Sequence, residues 1–438
     1  MANLMLELTG WMTSNGLWGT LLGLFYNVLK NMGWTIVVFT ICLKLVLVPL
    51  DIYQRHVSSE TTKKQNEMKP ELEKIQKIYA NNQEMLNKKT MEVYRNHNFN
   101  LGTSCFGLLI NIVITLVVFI TLFNSLRSIS NTLIKDEYEY LKNTYVESYM
   151  DAYQDEYLIF ESAYDPSVNT DFANAQDYAK HEAEKKATEI SQNKVYEEYQ
   201  EIKESWLWIK NIYLTDTSVS PFPSFEKYLK NSGIKYNDGY VPVENIINGS
   251  NQAVLDNQDT KDINEAKDLA EKDYNLVCGK IIESVDGKWN GYYILIILSG
   301  VITWLSTKVT RLGQPKQTQK VTLADGTVVE KNVDPMGGMN LILPIMMIFF
   351  TWSYTGLFAI YIVVNSMIGI VISLAIYAVK TYIINPMKDK KKLAVEIANR
   401  DPNDFRRYDK YTEIETAETE TFTKKNKNNK NNKNDGEI

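Results

Sequence analysis

The chain has 438 residues, 45% of them hydrophobic and 23% charged, with a formal net charge of −6. These averages resemble a soluble protein, but the apolar residues are clustered: residues 341–379 and 102–126 contain no Asp, Glu, Lys, Arg or His. Runs of that length are candidates for bilayer spans, which excludes a simple soluble enzyme and a mostly disordered chain. Three Cys and three His are too few and too scattered for a disulfide framework, a zinc site or a base–nucleophile pair. No Gly-rich phosphate loop or GxSxG elbow occurs, and the N-terminus carries no signal-peptide or lipid-attachment pattern. No cofactor, metal or catalytic residue is expected.

In chain order, residues 1–33 read as an extracytoplasmic N-terminus with an interfacial amphipathic helix at 17–32, the other reading being an early start to the first span. The first span is 34–52. Segment 53–103 reads as a cytoplasmic helical hairpin. Met68, Leu72, Ile75 and Tyr79 stripe its first helix, with Pro70 at a helix start. A break follows at Ala80-Asn81-Asn82, and then a helix from about Gln83 to Asn96 carrying Leu86, Met91 and Tyr94. The second span is 104–126. Segment 127–289 reads as an acidic, mostly helical extracytoplasmic insertion.

Within that insertion, helical spacing from Ile134 to Phe160, a break at Asp165-Pro166 and a second run from Ala173 to Trp206 predict an antiparallel pair. Ala179, Ala183, Ala187 and Ile190 share one face of the second helix. Trp206-Leu207-Trp208-Ile209 suits the outer membrane interface. A further helix is expected near Asp262–Cys278. Spans three to five are 290–307, 341–355 and 356–379, with a tight hairpin at Ser353-Tyr354-Thr355-Gly356 and a cytoplasmic loop at 308–340. The cytoplasmic tail, 380–438, is low-complexity and disordered at its Lys/Asn-rich end. It lacks the aromatic interleaving of a sequence-specific nucleic-acid binder.

Charge sets the orientation. Segments 53–103, 308–340 and 380–438 carry net charges of +3, +2 and +3, and segment 127–289 carries −14. Basic segments stay in the cytoplasm, so five alternating spans put the N-terminus outside and the C-terminus inside. The expected fold class is therefore all-α: a polytopic membrane protein with five transmembrane helices and a polar groove.

Lys44 is the only charge well inside an expected span, and no carboxylate in a span is expected to pair with it. Two readings follow. Its stem reaches toward the cytoplasmic end of the span, or its ammonium faces a wet groove. Asn111, Thr115, Thr351, Trp352, Asn365 and Ser366 are the other candidate groove residues. Such a groove would lower the cost of admitting polar peptide but supplies no nucleophile or base. A chaperone surface, a small-anion channel or transporter, and a non-catalytic assembly scaffold all remain open on these residues alone.

Lys44-x4-Pro49-Leu50 resembles the R-x4-P-L signature of bacterial YidC-type membrane protein insertases, in the YidC/Oxa/Alb superfamily. MKPELEKIQKIYANNQEMLNKKTMEVYRNHNFN resembles that family's cytoplasmic hairpin, and NLGTSCFGLLIN its NPLxGCLPLLIQ motif. WLWIKNIYLTD resembles its FLWIxDLSxxD stretch, and LILPIMMIFFTWSYTGLFAIYIVVNS its last helical hairpin. The resemblance implies insertion and folding of membrane proteins in a bacterial plasma membrane, without nucleotide or cofactor. The partners it implies are nascent membrane proteins, the lipid bilayer, and the ribosome, targeting factors and Sec translocon. It maps the family's groove Arg onto Lys44 and its groove Gln onto Asn111. Leu101 and Gly107 stand where the family has Pro. Lysine keeps the charge but lacks the planar fork that grips carboxylates bidentately, so these departures bear on substrate preference.

Overall fold

The computed structural model describes residues 12, 16–99, 101–236, 240–250, 260–312, 314, 317–322, 328–333 and 339–398. The low-complexity end of the tail lies outside the described residues. The chain divides into two units at Leu374/Ala375.

Helix α1 (Gly16–Leu29) is separate from α2 (Met32–Ile78). Lys30 turns the chain with a φ of +52°, and the Asn31 side chain caps α2 by accepting from the Trp34 amide at 3.1 Å. Helix α2 therefore begins at Met32, apart from α1. Trp18 and Phe25 of α1 meet Phe39 of α2 edge-on, while Leu17, Leu24 and Val28 are exposed on the other side.

Helix α2 runs unbroken for 47 residues, from the apolar segment into the polar one. Pro70 lies inside it and not at a helix start, correcting the sequence reading. Both Pro70 and Pro49 are on exposed positions, and at Pro70 water can solvate the backbone where the ladder bond is lost. Helix α3 (Gln83–Asn96) returns against α2, capped by Asn82, which accepts from the Met85 amide at 3.0 Å. Met68, Val93 and Phe99 form the small core of this hairpin, with Leu72, Ile75 and Tyr94 packed around it. Met91, expected in that stripe, is exposed instead.

Helix α4 (Leu101–Ala163) has 63 residues and is roughly 95 Å long by the helical rise per residue. Its apolar half continues without interruption into the acidic region, where α5 (Ala175–Ile202) packs along it. Phe160 meets the Tyr178 ring, and the Tyr140 hydroxyl donates to Glu198 at 2.8 Å, which sets the pair antiparallel. Ala179, Ala183 and Ala187 are wholly buried at four-residue spacing, followed by Ser191, Val195 and Tyr199. Their small side chains allow the helices to approach closely. Tyr145, Tyr149, Tyr153 and Tyr157 stack at 6.0 Å intervals along α4.

Short helices α6 (Phe225–Ser232) and α7 (Val243–Ile247) and the longer α8 (Thr260–Ser284) close this region. Tyr138, Tyr228 and Tyr274 pack ring against ring at 5.0–5.1 Å in its centre. Beside them the Lys142 ammonium donates to the Val241 carbonyl at 3.0 Å and lies over the Tyr240 ring. Asp273 accepts from the Tyr240 hydroxyl and the Val243 amide, both at 2.8 Å. The Lys142 ammonium and the Asp273 carboxylate buried here thus have partners that offset their desolvation.

Helices α9 (Ile294–Thr310), α10 (Met339–Ser353) and α11 (Gly356–Val379) are apolar. The chain breaks between α10 and α11 at Tyr354–Thr355. Between α9 and α10 lies an antiparallel ribbon, β1 (Gln317–Thr322) and β2 (Val328–Val333), which pairs Gln317 with Val333. This small ribbon departs from the all-α expectation. In the second unit, α11 passes through a π-helical turn (Lys380–Ile384) into α12 (Asn385–Ala398).

By length and composition, three helices among the described residues can cross a membrane: Met32–Ile78, the α4 portion Val113–Ala163, and Gly356–Lys392. Helix α9, with 17 residues, and the α10 portion Leu341–Ser353 are apolar but shorter.

One segment, 204–217, organises the N-termini of α2, α9 and α11. The Glu204 carboxylate accepts from the Met32 amide at 3.3 Å, the Asn31 side chain at 3.1 Å and the Tyr26 hydroxyl at 3.0 Å. Asp216 accepts from the Tyr292 amide at 2.9 Å and the Leu295 amide at 2.6 Å, at the start of α9. The carbonyls of Leu214 and Ile212 accept from the Gly356 and Leu357 amides at 2.8 and 3.1 Å, at the start of α11. Asn290 locks the segment, accepting from the Asn211 amide and donating to the carbonyls of Asn211 and Thr215. Trp206 and Ile209 pair as a tight turn and are buried, Trp206 against Gly33 and Trp34. Both sit in the protein core, and only Leu207 of this cluster is well exposed.

Two predictions arise. Asp216→Ala should cost about 1–2 kcal/mol by stripping the cap from α9, and Asp216→Asn less, since it keeps one acceptor. The thermal unfolding midpoint of the purified protein in detergent checks this, and an unchanged midpoint for the Ala variant refutes it. The second concerns Glu137, whose carboxyl is pushed from 4.5 up to about 8 by burial, reinforced by the Glu204 charge. Its proton is therefore held more tightly in the native state than in the unfolded chain. The stabilisation is full below about pH 4.5 and is lost as pH rises to about 8. Glu137→Gln should flatten the decline in midpoint between these values. Above pH 8 it should melt about 5 °C higher than the unsubstituted protein.

Candidate functional site: the charged face of helix α2

Helical geometry places the residues seven and eleven positions beyond Lys44 within about 20° of it around the axis. Those residues are Asp51 and Arg55. The Lys44 ammonium lies 3.1 Å from the Asp51 carboxylate, with the two side chains 19% and 23% exposed. Lys44 therefore extends along the helix toward its polar half, and its charge has an internal partner. This corrects the expectation that no carboxylate is placed to pair with it: Asp51 lies at the margin of the apolar run, two turns along the same face. The Arg55 guanidinium donates to the Ser373 hydroxyl at 2.7 Å and to the Thr310 carbonyl at 3.4 Å, joining α2 to both α9 and α11.

Hydroxyl pairs form a seam beside this face. Ser299 meets Thr351 at 3.0 Å, Thr303 meets Ser366 at 3.3 Å, and Thr310 meets Ser373 at 3.3 Å. The α9 and α11 partners of the last two pairs both recur at seven-residue spacing, which keeps them on one contact line. Each such bond is worth about 0.6 kcal/mol in a membrane interior.

The candidate residues thus separate. Thr351 and Ser366 are buried and bonded across helices, with Thr351 also donating to its own helix backbone. Asn365 is half-buried, and Thr115 and Trp352 are exposed. Asn111 lies in α4, but its side chain falls outside those the structure describes. Asp51, Arg55, Ser299, Thr303 and Thr310 were not among the sequence candidates. The signal for Asp51 and Arg55 was their helical offset from Lys44. Among the described residues no group of three or more His, Cys, Asp or Glu is placed to hold a metal ion.

An ammonium, a carboxylate and a guanidinium on one face can orient and exchange charged partners. The family described as 60Kd inner membrane protein matches residues 24–229, which include all of this charged face. Proteins named Membrane protein insertase YidC are similar over shorter stretches. The one from Fusobacterium nucleatum subsp. nucleatum is 40% identical over 98 residues, covering 22% of this chain and 44% of that protein. The one from Clostridium tetani is 36% identical over 98 residues, covering 22% and 42%. The one from Leptospira interrogans is 33% identical over 105 residues, covering 24% and 16%. The chain thus spans less than half the length of these curated relatives. No solved structure matches it. Residues 24–229 of the chain are thus similar to the family of 60Kd inner membrane proteins, and three helices among the described residues are apolar and long enough to span a bilayer.

Proposed function

We propose that this chain is a membrane protein insertase and chaperone, moving nascent transmembrane segments from the cytoplasm into the bilayer of a bacterial plasma membrane. The observation that carries this reading is the family match over residues 24–229, which contains Lys44 and its partner Asp51. In this reading α2, α4, α9, α10 and α11 are five crossings. The meeting of the α2, α9 and α11 N-termini at one segment supports an alternating path, with the N-terminus outside and the C-terminus inside. A groove open to the cytoplasm runs past Lys44, with Asn111, Thr115, Trp352 and Asn365 as its other polar and aromatic margins. Thr351 and Ser366 instead hold the helices that shape it.

The client's polar flank enters this groove while its apolar segment moves against lipid-facing helices. Transfer of apolar surface, at about 25 cal/mol per Å², supplies the driving force, with no nucleotide, cofactor or catalytic step. The α2–α3 hairpin receives clients or contacts the ribosome, targeting factors or Sec translocon. A small-anion pathway is less well supported, because Lys44 already has a carboxylate beside it.

The test is complementation of a bacterium depleted of its own insertase. Lys44→Arg should sustain insertion, Lys44→Ala should weaken it, and Lys44→Glu should reduce insertion of clients with acidic flanks at least about tenfold. Normal insertion of every client by the Glu variant refutes the charged-groove mechanism.

A further inference from the structure

The pairing of Lys44 with Asp51 has a consequence for which clients the groove accepts. With side chains 19% and 23% exposed and 3.1 Å apart, the pair is neither sealed in a dry interior nor free in solvent. A sealed pair would be costly to separate, and a solvated one would be too weak to influence a competitor. An intermediate pair can exchange.

The surroundings also favour exchange over rigidity. Arg55, one turn beyond Asp51 on the same face, is tied by hydrogen bonds to Ser373 and Thr310. It stays near enough to act electrostatically on Asp51. An Asp51 carboxylate released by Lys44 is therefore still within the field of a second, anchored cation.

We infer that Asp51 is the resident occupant of Lys44 and a specificity-determining residue of the groove, displaced by the carboxylate of an acidic client segment. This rests on the insertase reading above. In the resting protein Asp51 neutralises Lys44, so clients without an acidic flank pass a nearly neutral wall. Clients that carry one exchange with Asp51, which moves toward Arg55. The cation is thereby screened from indiscriminate anion binding, and the preference for acidic clients is set by competition with a tethered carboxylate.

The full-length chain, reconstituted in phosphatidylethanolamine–phosphatidylglycerol vesicles, tests this. Two single-span clients are used that differ only by one Glu or Gln in the leading flank, and the ratio of inserted Glu client to Gln client is read. Asp51→Asn should raise that ratio on the order of threefold, with the effect shrinking as salt is added. Asp51→Glu should leave it near the unsubstituted value, and Lys44→Gln with Asp51→Asn should bring it near one. An unchanged ratio for Asp51→Asn in protein that inserts both clients overturns the role of Asp51 and leaves the insertase reading standing.

Should Asp51→Asn insert neither client, the double variant decides. Recovery on adding Lys44→Gln identifies an uncompensated charge and supports the pair. Failure of the double variant as well assigns Asp51 to folding alone and overturns the proposal. Unsubstituted protein that inserts neither client defeats the insertase reading and this inference with it.

Discussion

A helix entering a low-dielectric environment must find acceptors for its first backbone amides, because each left unpaired there costs several kcal/mol. Here a single segment meets that demand for three helices. Glu204 serves α2, the carbonyls of Ile212 and Leu214 serve α11, and Asp216 serves α9. Two of these acceptors are carboxylates, favoured at helix N-termini by the peptide dipoles. The arrangement works only if backbones approach closely. A Cβ on Gly356 would stand 2.9 Å from the Ile212 carbonyl oxygen, and one on Gly33 would collide with the Trp206 ring. Asn290 holds the segment itself in shape by satisfying its backbone from a neighbouring turn.

Fixing three N-termini at one place fixes the relative heights of the helices and therefore what faces what farther along. Helix α9 is then in register with α11 for Thr303 to meet Ser366 and Thr310 to meet Ser373. Helix α2 is placed for Arg55 to reach that same seam. Helix α4 locks into the assembly through Phe119 and Phe123, which pack on Tyr354 and Phe358 beside the start of α11. Because α4 continues as one rod into the acidic region, the tyrosine-rich core there and the apolar bundle share a common beam. The buried carboxyls of Glu137 on that rod and of Glu204 on the capping segment lie within each other's field, both raised chiefly by burial.

Periodicity made some of this legible and hid the rest. The helix Gln83–Asn96 and the alanine face at 179, 183 and 187 are local patterns, written in spacing alone. The burial of Trp206 was not legible, because aromatic composition does not say whether a ring faces lipid or protein. Its burial depends on Gly33, distant in sequence. Pro70 suggested a helix start, but a helix already running through an exposed position can absorb a proline. The β ribbon did have a local signal, since Asp325-Gly326 sits between alternating apolar residues, the pattern of a hairpin turn. The capping role of segment 204–217 is not written in its local pattern, because it consists of contacts to residues up to 178 positions away.

The same distinction bears on the charged face. Within a sequence window, Lys44 is a solitary cation, and a solitary cation in lipid demands water or a partner. Around a helix it is one member of a line in which positive, negative and positive charges follow at seven and four residues. Such a line is close to neutral over its first two members, which lowers the cost of holding Lys44 in the apolar half of α2 without a permanent aqueous channel. It still leaves a cation that becomes available when the carboxylate moves. The helix thus tolerates its charge at rest and offers it on demand. That combination needs Asp51 near enough to bind Lys44 yet exposed enough to let go, as the 3.1 Å separation and partial exposure of the pair provide.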